Sequence, residues 1–314
     1  MNNFALLGAA GYIAPRHMGA IRDTNNNLLA ALDPNDSVGI IDSYFPDAHF
    51  FTEFERFDRH IDKLKRSPAG QQIHYMSICS PNYLHDSHMR FALRSGSDAI
   101  CEKPLVLNPW NIDALHEIEK DTGKSINTIL QLRLHKSIVE LREKVQSTPD
   151  TKKFDVNLTY ITSRGRWYYQ SWKGDEKKAG GIATNIGVHF FDMLQYIFGP
   201  LQTSTLHASD DKKAAGFLEY KRARVRWYLS IDVNDVPDSI RAIGQRTFRS
   251  IAVNNEEIEF SSGFTELHTR SYEQILAGNG YGLEENRAAI ETVANIRNAE
   301  LAPLTGDFHP FLQH

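Results

Sequence analysis

Short apolar runs in the first 130 residues alternate with stretches of helical periodicity, and this alternation restricts the fold more than any other feature of the chain. Phe4-Ala5-Leu6-Leu7 is a run that stops at Gly8, and helical spacing follows over residues 13–22. A second run over residues 28–32 is stopped by Asp33-Pro34. After an amphipathic segment, residues 73–79 read as a strand, 83–94 as a helix and 98–101 as a short strand. The pattern returns once more, with a strand over 126–132 and a helix over 137–145. Strands separated by helices predict parallel βαβ units with right-handed crossovers.

Beyond Phe154 the character changes. Residues 156–161, 223–231 and 251–260 alternate apolar with polar, as expected of an antiparallel or mixed sheet with one buried face. One helix over 184–198, stopped by Gly199-Pro200, interrupts this region, and a final helical pattern covers 283–297. A chain of 314 residues is expected to divide into two domains. The change of pattern sets the expected boundary: residues 1–130 as a parallel α/β domain, and residues 131–314 as a second α/β domain built on the later sheet. The fold class is therefore α/β, a parallel sheet followed by a large open mixed or antiparallel one.

Composition narrows the function. With 41% hydrophobic and 24% charged residues and a formal net charge of −4, no general attraction to nucleic acid or acidic membrane is expected. No apolar stretch approaches the roughly 18 residues that span a bilayer, and residues 1–4 do not open a signal peptide. Two cysteines, Cys79 and Cys101, make no disulfide framework, and a reducing cytoplasm is the expected setting. None of the 13 histidines falls in a tight ligand motif, so no catalytic metal is expected.

The first candidate site is the turn Gly8-Ala9-Ala10-Gly11-Tyr12-Ile13-Ala14, between the first strand and the first helix. There a pyrophosphate can meet free backbone N–H groups at the positive end of a helix, provided the residues are small. The spacing is closer to G-x-x-G-x-x-A than to G-x-G-x-x-G, and small residues in a tight strand-to-helix turn also occur without a ligand. Asp33 closes the second strand 22 residues beyond Gly11, where a carboxylate can bind the adenosine ribose and repel the extra phosphate of NADP. A turn residue before Pro34 is the plainer alternative.

The second is Cys101-Glu102-Lys103-Pro104, at the end of a strand. Open α/β sheets bind ligands beyond the carboxyl ends of their strands, and a residue before proline is held extended. Lys103 is thus aimed by the backbone and can stabilise charge on a hydroxyl losing its proton; an ordinary surface lysine fits the tripeptide equally well. The third is a helix introduced by Gly180-Gly181, carrying Asn185 and His189 four residues apart on one face. His189 is suited to proton transfer near neutral pH, although a lone helical histidine is commonly structural. Oxidation of an alcohol requires a base at the hydroxyl and a nicotinamide at the carbinol hydrogen, so this reading requires the amine and the imidazole to converge beside a dinucleotide.

Together the glycine-rich turn, Ser80-Pro81-Asn82 with His85 and His88, Glu102-Lys103-Pro104 and the Gly-led helix with His189 resemble the glucose-fructose oxidoreductase, inositol dehydrogenase and rhizopine-catabolism superfamily over essentially the whole chain. More narrowly, residues 8–17, 99–105, 163–168, 171–174 and 181–189 are similar to UDP-N-acetyl-2-amino-2-deoxy-D-glucuronate (UDP-GlcNAcA) dehydrogenases of bacterial surface-polysaccharide synthesis. The resemblance implies a Rossmann-type, NAD-binding domain over residues 1–130 and a substrate-binding and oligomerisation domain over 131–314. It implies NAD-dependent oxidation of the sugar at C3 to a 3-keto product, a homotetramer assembled through the C-terminal sheet, and recycling of bound NADH by 2-oxoglutarate in some members. It implies Lys103 and His189 as the proton-handling pair. Asn185 stands where many members carry aspartate; an amide can orient a hydroxyl but cannot act as a base. The implied cofactor contacts are Gly8, Ala10, Gly11, Tyr12, Ile13, Asp33, Ser80, Asn82, His85, Glu102, Lys103 and Gln131, with Arg133 near the nicotinamide.

Arg164, Tyr168, Trp172, Lys173 and Thr184, with Lys103, Asn185 and His189, complete the implied substrate contacts. The cations and aromatics of residues 164–173 suit a diphosphate and a uronate, the alternative being a solvated loop. Lys221, Arg222, Arg224 and Arg226 read as a charged sheet face rather than a nucleic-acid contact. Another sugar or polyol as substrate, or a non-catalytic NAD-binding sensor, are the competing functions.

Overall fold

The computed structural model describes residues 1–67, 69–259, 264 and 266–313. The chain divides into two compact units: Met1–Gln131 with Thr265–Arg287, and Leu132–Phe264 with Ala288–His314. Residues 266–287, assigned from sequence to the second domain, fall in the first unit. Among the described residues no helix is long and apolar enough to cross a membrane.

In the first unit, strands β1 (Asn3–Leu7), β2 (Asn27–Leu32), β3 (His49–Phe51), β4 (Tyr75–Ile78), β5 (Asp98–Cys101) and β6 (Ile126–Thr128) form one sheet in the order β3-β2-β1-β4-β5-β6. Every pairing is parallel. All five residues of β1 are buried, as expected when helices cover both faces of a parallel sheet. Chain direction through the sheet reverses between β1 and β4, and their carboxyl ends lead into Gly8 and Cys79-Ser80. That reversal is the topological switch point at which such sheets bind ligands.

The strand expected over 126–132 is shorter. The Ile129 N–H still donates to the Cys101 carbonyl (3.0 Å), but Leu130 turns back on Thr128 and residues Gln131–Leu134 form a 3-10 turn. Gln131 therefore does not end a strand. The helix Leu267–Leu276 packs Tyr272 and Ile275 into the same core as Phe4, Leu6, Met18 and Ile100.

In the second unit, β7 (Phe154–Thr162), β8 (Leu201–Ser209), β9 (Lys213–Tyr220), β10 (Ala223–Ser230), β11 (Thr247–Val253) and β12 (Glu256–Glu257) make a sheet in the order β12-β11-β7-β10-β9-β8. Only the β7–β10 pair is parallel, so the sheet is mixed and mostly antiparallel. The alternation expected over 251–260 resolves into parts of β11 and β12; Phe260 lies outside the described residues. Arg222 does not join a charged sheet face. It is buried in the turn before β10, where its guanidinium donates to the carbonyls of Val145, Thr148 and Pro149 and so satisfies the exit of helix Lys136–Gln146. Arg224 and Arg226 pair with Asp155 and Asp307.

A short C-terminal turn closes the second unit through a buried histidine. The Phe311 N–H donates to His309 Nδ1 (3.2 Å), which leaves Nε2 to donate to Thr159 Oγ1 (3.0 Å). Burial, then the charge of Arg226, pushes His309 down to about 4. Below its ordinary value near 6.5 the unfolded chain takes up a proton that the folded one refuses, so stability is full above pH 6.5 and falls as pH drops toward 4. His309→Asn retains a side-chain acceptor for Phe311 and removes the titration. Urea unfolding from pH 7 to 4.5 should show the variant losing less stability than wild type, by about 1 kcal/mol per pH unit. Identical pH slopes would exclude His309 as the titrating group.

Candidate functional site

The glycine-rich turn sits where the first sheet reverses. Gly8 has φ +90°, and a Cβ there would stand 2.5 Å from the Ser80 nitrogen and 2.6 Å from the Cys79 carbonyl carbon. Only glycine lets the two strand exits approach so closely. The Ala10 N–H donates to Asp33 Oδ2 and the Asn35 N–H to Asp33 Oδ1, both at 2.9 Å. Asp33 therefore shapes the turn with both oxygens, a role the ribose reading did not include; each oxygen keeps a further lone pair.

Helix Ala14–Asp23 follows with no side-chain cap. Among the described residues, the N–H groups of Tyr12 and Ile13 have no hydrogen-bond acceptor. Two free amides beside a helix start make a cradle for an anion, which is what a dinucleotide's pyrophosphate needs. The Tyr12 side chain is exposed and that of Ile13 half-buried.

Around the β4 exit, Ser80, Asn82 and His85 are buried. His85 contacts two carbonyls, Pro104 O through Nδ1 (2.7 Å) and Ser80 O through Nε2 (2.9 Å), while Ser80 Oγ meets His88 Nδ1 (2.9 Å). His85 thus ties the β4 exit to the Lys103-Pro104 turn. Burial lowers its pKa, and the two carbonyls oppose that shift.

Lys103 follows the carboxyl end of β5, as its sequence position implied, and is half-buried. Glu102, expected among the cofactor contacts, is 6% exposed and committed elsewhere. Its Oε1 meets His17 Nε2 (3.0 Å) and His268 Nε2 (2.9 Å), and its Oε2 accepts the Lys103 N–H (3.1 Å). Burial pushes this carboxyl up, but the hydrogen bonds from His17 and His268 prevail and hold it well below the usual carboxylate range. Sequence reasoning missed His17, His268 and Tyr272. His17 lay in a stretch already singled out, four residues past Ile13, whereas His268 comes 166 residues after Glu102 and carried no local signal.

The second unit holds the other predicted residues. The helical stretch 182–190 is buried except at Asn185 and His189, so these two share an accessible face, as their spacing predicted. Residues Ala183–Gly187 form a π turn ahead of helix Val188–Phe198, a distortion found frequently at functional sites. Asn185 Nδ2 donates to the Tyr168 hydroxyl (2.9 Å). Tyr168 is 2% exposed, so its hydroxyl orients Asn185 rather than offering an open surface. The His189 ring lies against Phe190, with centroids 4.2 Å apart and planes tilted by 40°.

Thr184, grouped with the substrate contacts, has no exposed surface and packs beneath Gly180, whose φ is +85°. Lys173 lies over the Trp172 ring at 4.3 Å; burial, then the charge of Arg164, lowers its pKa. Arg164 is exposed. Arg133, expected near the nicotinamide, has its guanidinium engaged by an acid. It makes a buried two-pronged ion pair with Asp192, at 2.6 and 3.0 Å.

A parallel sheet in this order, with a glycine cradle and free amides at its switch point, defines a dinucleotide-binding oxidoreductase. The chain belongs to the Gfo/Idh/MocA oxidoreductase family. Residues 2–129 match its "NAD-binding Rossmann fold" and residues 150–239 its "C-terminal alpha/beta domain". The WlbA (WbpB) dehydrogenase of Thermus thermophilus is 49% identical, over 99% of this chain and 100% of that one. Its structure with NAD and alpha-ketoglutarate superposes with a TM-score of 0.95, and its structure with NAD and UDP-GlcNAcA with 0.94. Inositol 2-dehydrogenase of Rhizobium meliloti (strain 1021) is 28% identical over 68% of this chain and 60% of its own length. D-Glucoside 3-dehydrogenase of Escherichia coli (strain K12) is 25% identical over 44% of this chain and 39% of its own. The matched stretches thus span less than two thirds of either curated relative.

Gly8→Ala tests the cradle. Forcing a Cβ to 2.5 Å from the Ser80 nitrogen at a positive φ should lower NAD affinity by about tenfold or more and lower the Tm. Calorimetric titration with NAD showing wild-type affinity would remove the cradle from cofactor binding.

Proposed function

We propose that this protein oxidises the C3 hydroxyl of UDP-GlcNAcA to the 3-keto sugar with NAD. The observation that carries this reading is the 49% identity, over 99% of the chain, to a dehydrogenase solved with NAD and UDP-GlcNAcA. The accessible pair Asn185 and His189 and the lysine at the carboxyl end of β5 supply the side-chain chemistry that alcohol oxidation needs.

Bound NAD supplies the hydride acceptor. The chain's own residues do the rest. The Gly8–Ser80 approach and the free amides of Tyr12 and Ile13 cradle the pyrophosphate. Lys103 stabilises the negative charge that grows on the C3 oxygen as its proton leaves. His189 takes that proton near neutral pH. Asn185, fixed by the Tyr168 hydroxyl, orients the sugar without accepting a proton. Arg164, Trp172 and Lys173 receive the diphosphate and the carboxylate.

The same reading places the protein in the cytoplasm, in surface-polysaccharide synthesis, as a homotetramer joined through the second sheet, with 2-oxoglutarate reoxidising retained NADH.

Mixing the purified protein with UDP-GlcNAcA should yield NADH, or 3-keto product where bound cofactor is recycled, in a single turnover. The absence of both products would sink the substrate assignment. Lys103→Ala should lower kcat by about 10²-fold or more while NAD affinity stays nearly unchanged. Full activity in that variant would remove Lys103 from the chemistry. UDP alone should raise the Tm, and no rise would favour a free sugar or polyol instead.

A further inference from the structure

Five side chains of the first unit form one buried path of hydrogen bonds that none of the roles above uses. Ser77 Oγ on β4 meets the Tyr272 hydroxyl at 2.6 Å, and that hydroxyl meets His17 Nδ1 at 2.7 Å. His17 Nε2 and His268 Nε2 then converge on Glu102 Oε1 at 3.0 and 2.9 Å. His17 and Tyr272 are fully buried, and His268 and Glu102 nearly so.

The donors and acceptors can be ordered in one consistent way. An ionised carboxylate only accepts, so both Nε2 atoms carry protons. Burial keeps His17 neutral against the pull of Glu102, so its Nδ1 accepts from Tyr272, and the Tyr272 oxygen accepts from Ser77. Donation therefore runs from Ser77 to Glu102, and Glu102 uses its second oxygen to hold the Lys103 N–H. On the other side of Lys103, the Pro104 carbonyl is held by His85. The turn that presents Lys103 is pinned at both flanks.

We propose that His17 and His268 are positioning residues: they immobilise Glu102, which through the Lys103 N–H fixes the turn carrying the Lys103 amine. This rests on the role given to Lys103 above. The groups facing Glu102 are His17 from helix Ala14–Asp23, His268 and Tyr272 from helix Leu267–Leu276, Cys79 beyond β4, Cys101 at the end of β5, and His85. Removing a donor from Glu102 weakens the hold on its proton-free form and frees the Lys103 turn to move.

The same ligand atoms of His17, Glu102 and His268 lie within 4.8 Å of one another, a spacing that also suits a cation. Their N–O separations are those of direct hydrogen bonds.

The test compares His268→Leu, which deletes the donor, with His268→Gln, whose amide reaches the Nε2 position. Hydrogen exchange of the segment containing Lys103, in the full chain with NAD, should accelerate about tenfold in the Leu variant and stay near wild type in the Gln variant, with β1 unchanged in both. In turnover, kcat should fall about tenfold in the Leu variant while KM for NAD changes less than about twofold, and glutamine should restore it. If the Leu variant does not fold, His268→Asn, whose amide is one methylene short, takes its place and should be less protected than His268→Gln. Unchanged exchange and kcat in a folded Leu variant, or equal damage in the Leu and Gln variants, would overturn the proposal. So would a change in wild-type exchange on adding EDTA, which would put a cation where the hydrogen bonds are. A wild-type protein inert toward UDP-GlcNAcA would reject the substrate reading, while the exchange comparison still decides this one.

Discussion

A carboxylate buried to the depth of Glu102 cannot persist without donors, and here they come from opposite ends of the chain. His17 arrives on the helix that follows the cofactor turn, and His268 on a helix near the C-terminus. This explains why residues 266–287 fold with the first unit rather than with their neighbours in sequence. The parallel sheet alone would expose the β5 exit, and the returning helix supplies the apolar cover of Tyr272 and Ile275 together with the imidazole that the carboxylate requires.

The same demand governs the turn at β1. Gly8 exists because two strand exits approach more closely than any side chain allows, and Asp33 bonds the turn because the backbone N–H of Ala10 needs an acceptor. Two amides are left over, those of Tyr12 and Ile13. Such a local surplus of donors beside a helix start is the physical form of an anion site.

Legibility in the sequence followed burial and local periodicity. Strand β5 appeared with its observed bounds because Asp98 and the turn after Cys101 delimit a short buried run. The helix Leu283–Asn298 appeared within a residue for the same reason. Strand β3 did not, since His49, Phe50 and Phe51 lie at a sheet edge with partial exposure and no alternation. Strand β8 escaped because its first half is polar and exposed, also at an edge. Helix Pro109–Thr122 was missed despite its Pro start and its left-handed Gly123 exit. At the site, the Asn185 and His189 face was readable because helical spacing is local information. The partners of Glu102 were not, because nothing in a sequence marks which distant imidazole will satisfy a buried acid.

That contrast separates two kinds of functional residue. Side chains proposed to meet a ligand stand in local patterns here, because a turn or a helix face must present them together; Gly8, Lys103, Asn185 and His189 are of this kind. Side chains that hold those residues in place are chosen by the fold, and any donor of the right reach will serve. Tyr168 illustrates the point. Its place in a run of aromatics and cations suggested contact with a sugar; the side chain is buried and its hydroxyl accepts from the Asn185 amide. Asn185 shares the accessible face of its helix with His189, and its hydrogen bond to the phenol limits where that amide can sit.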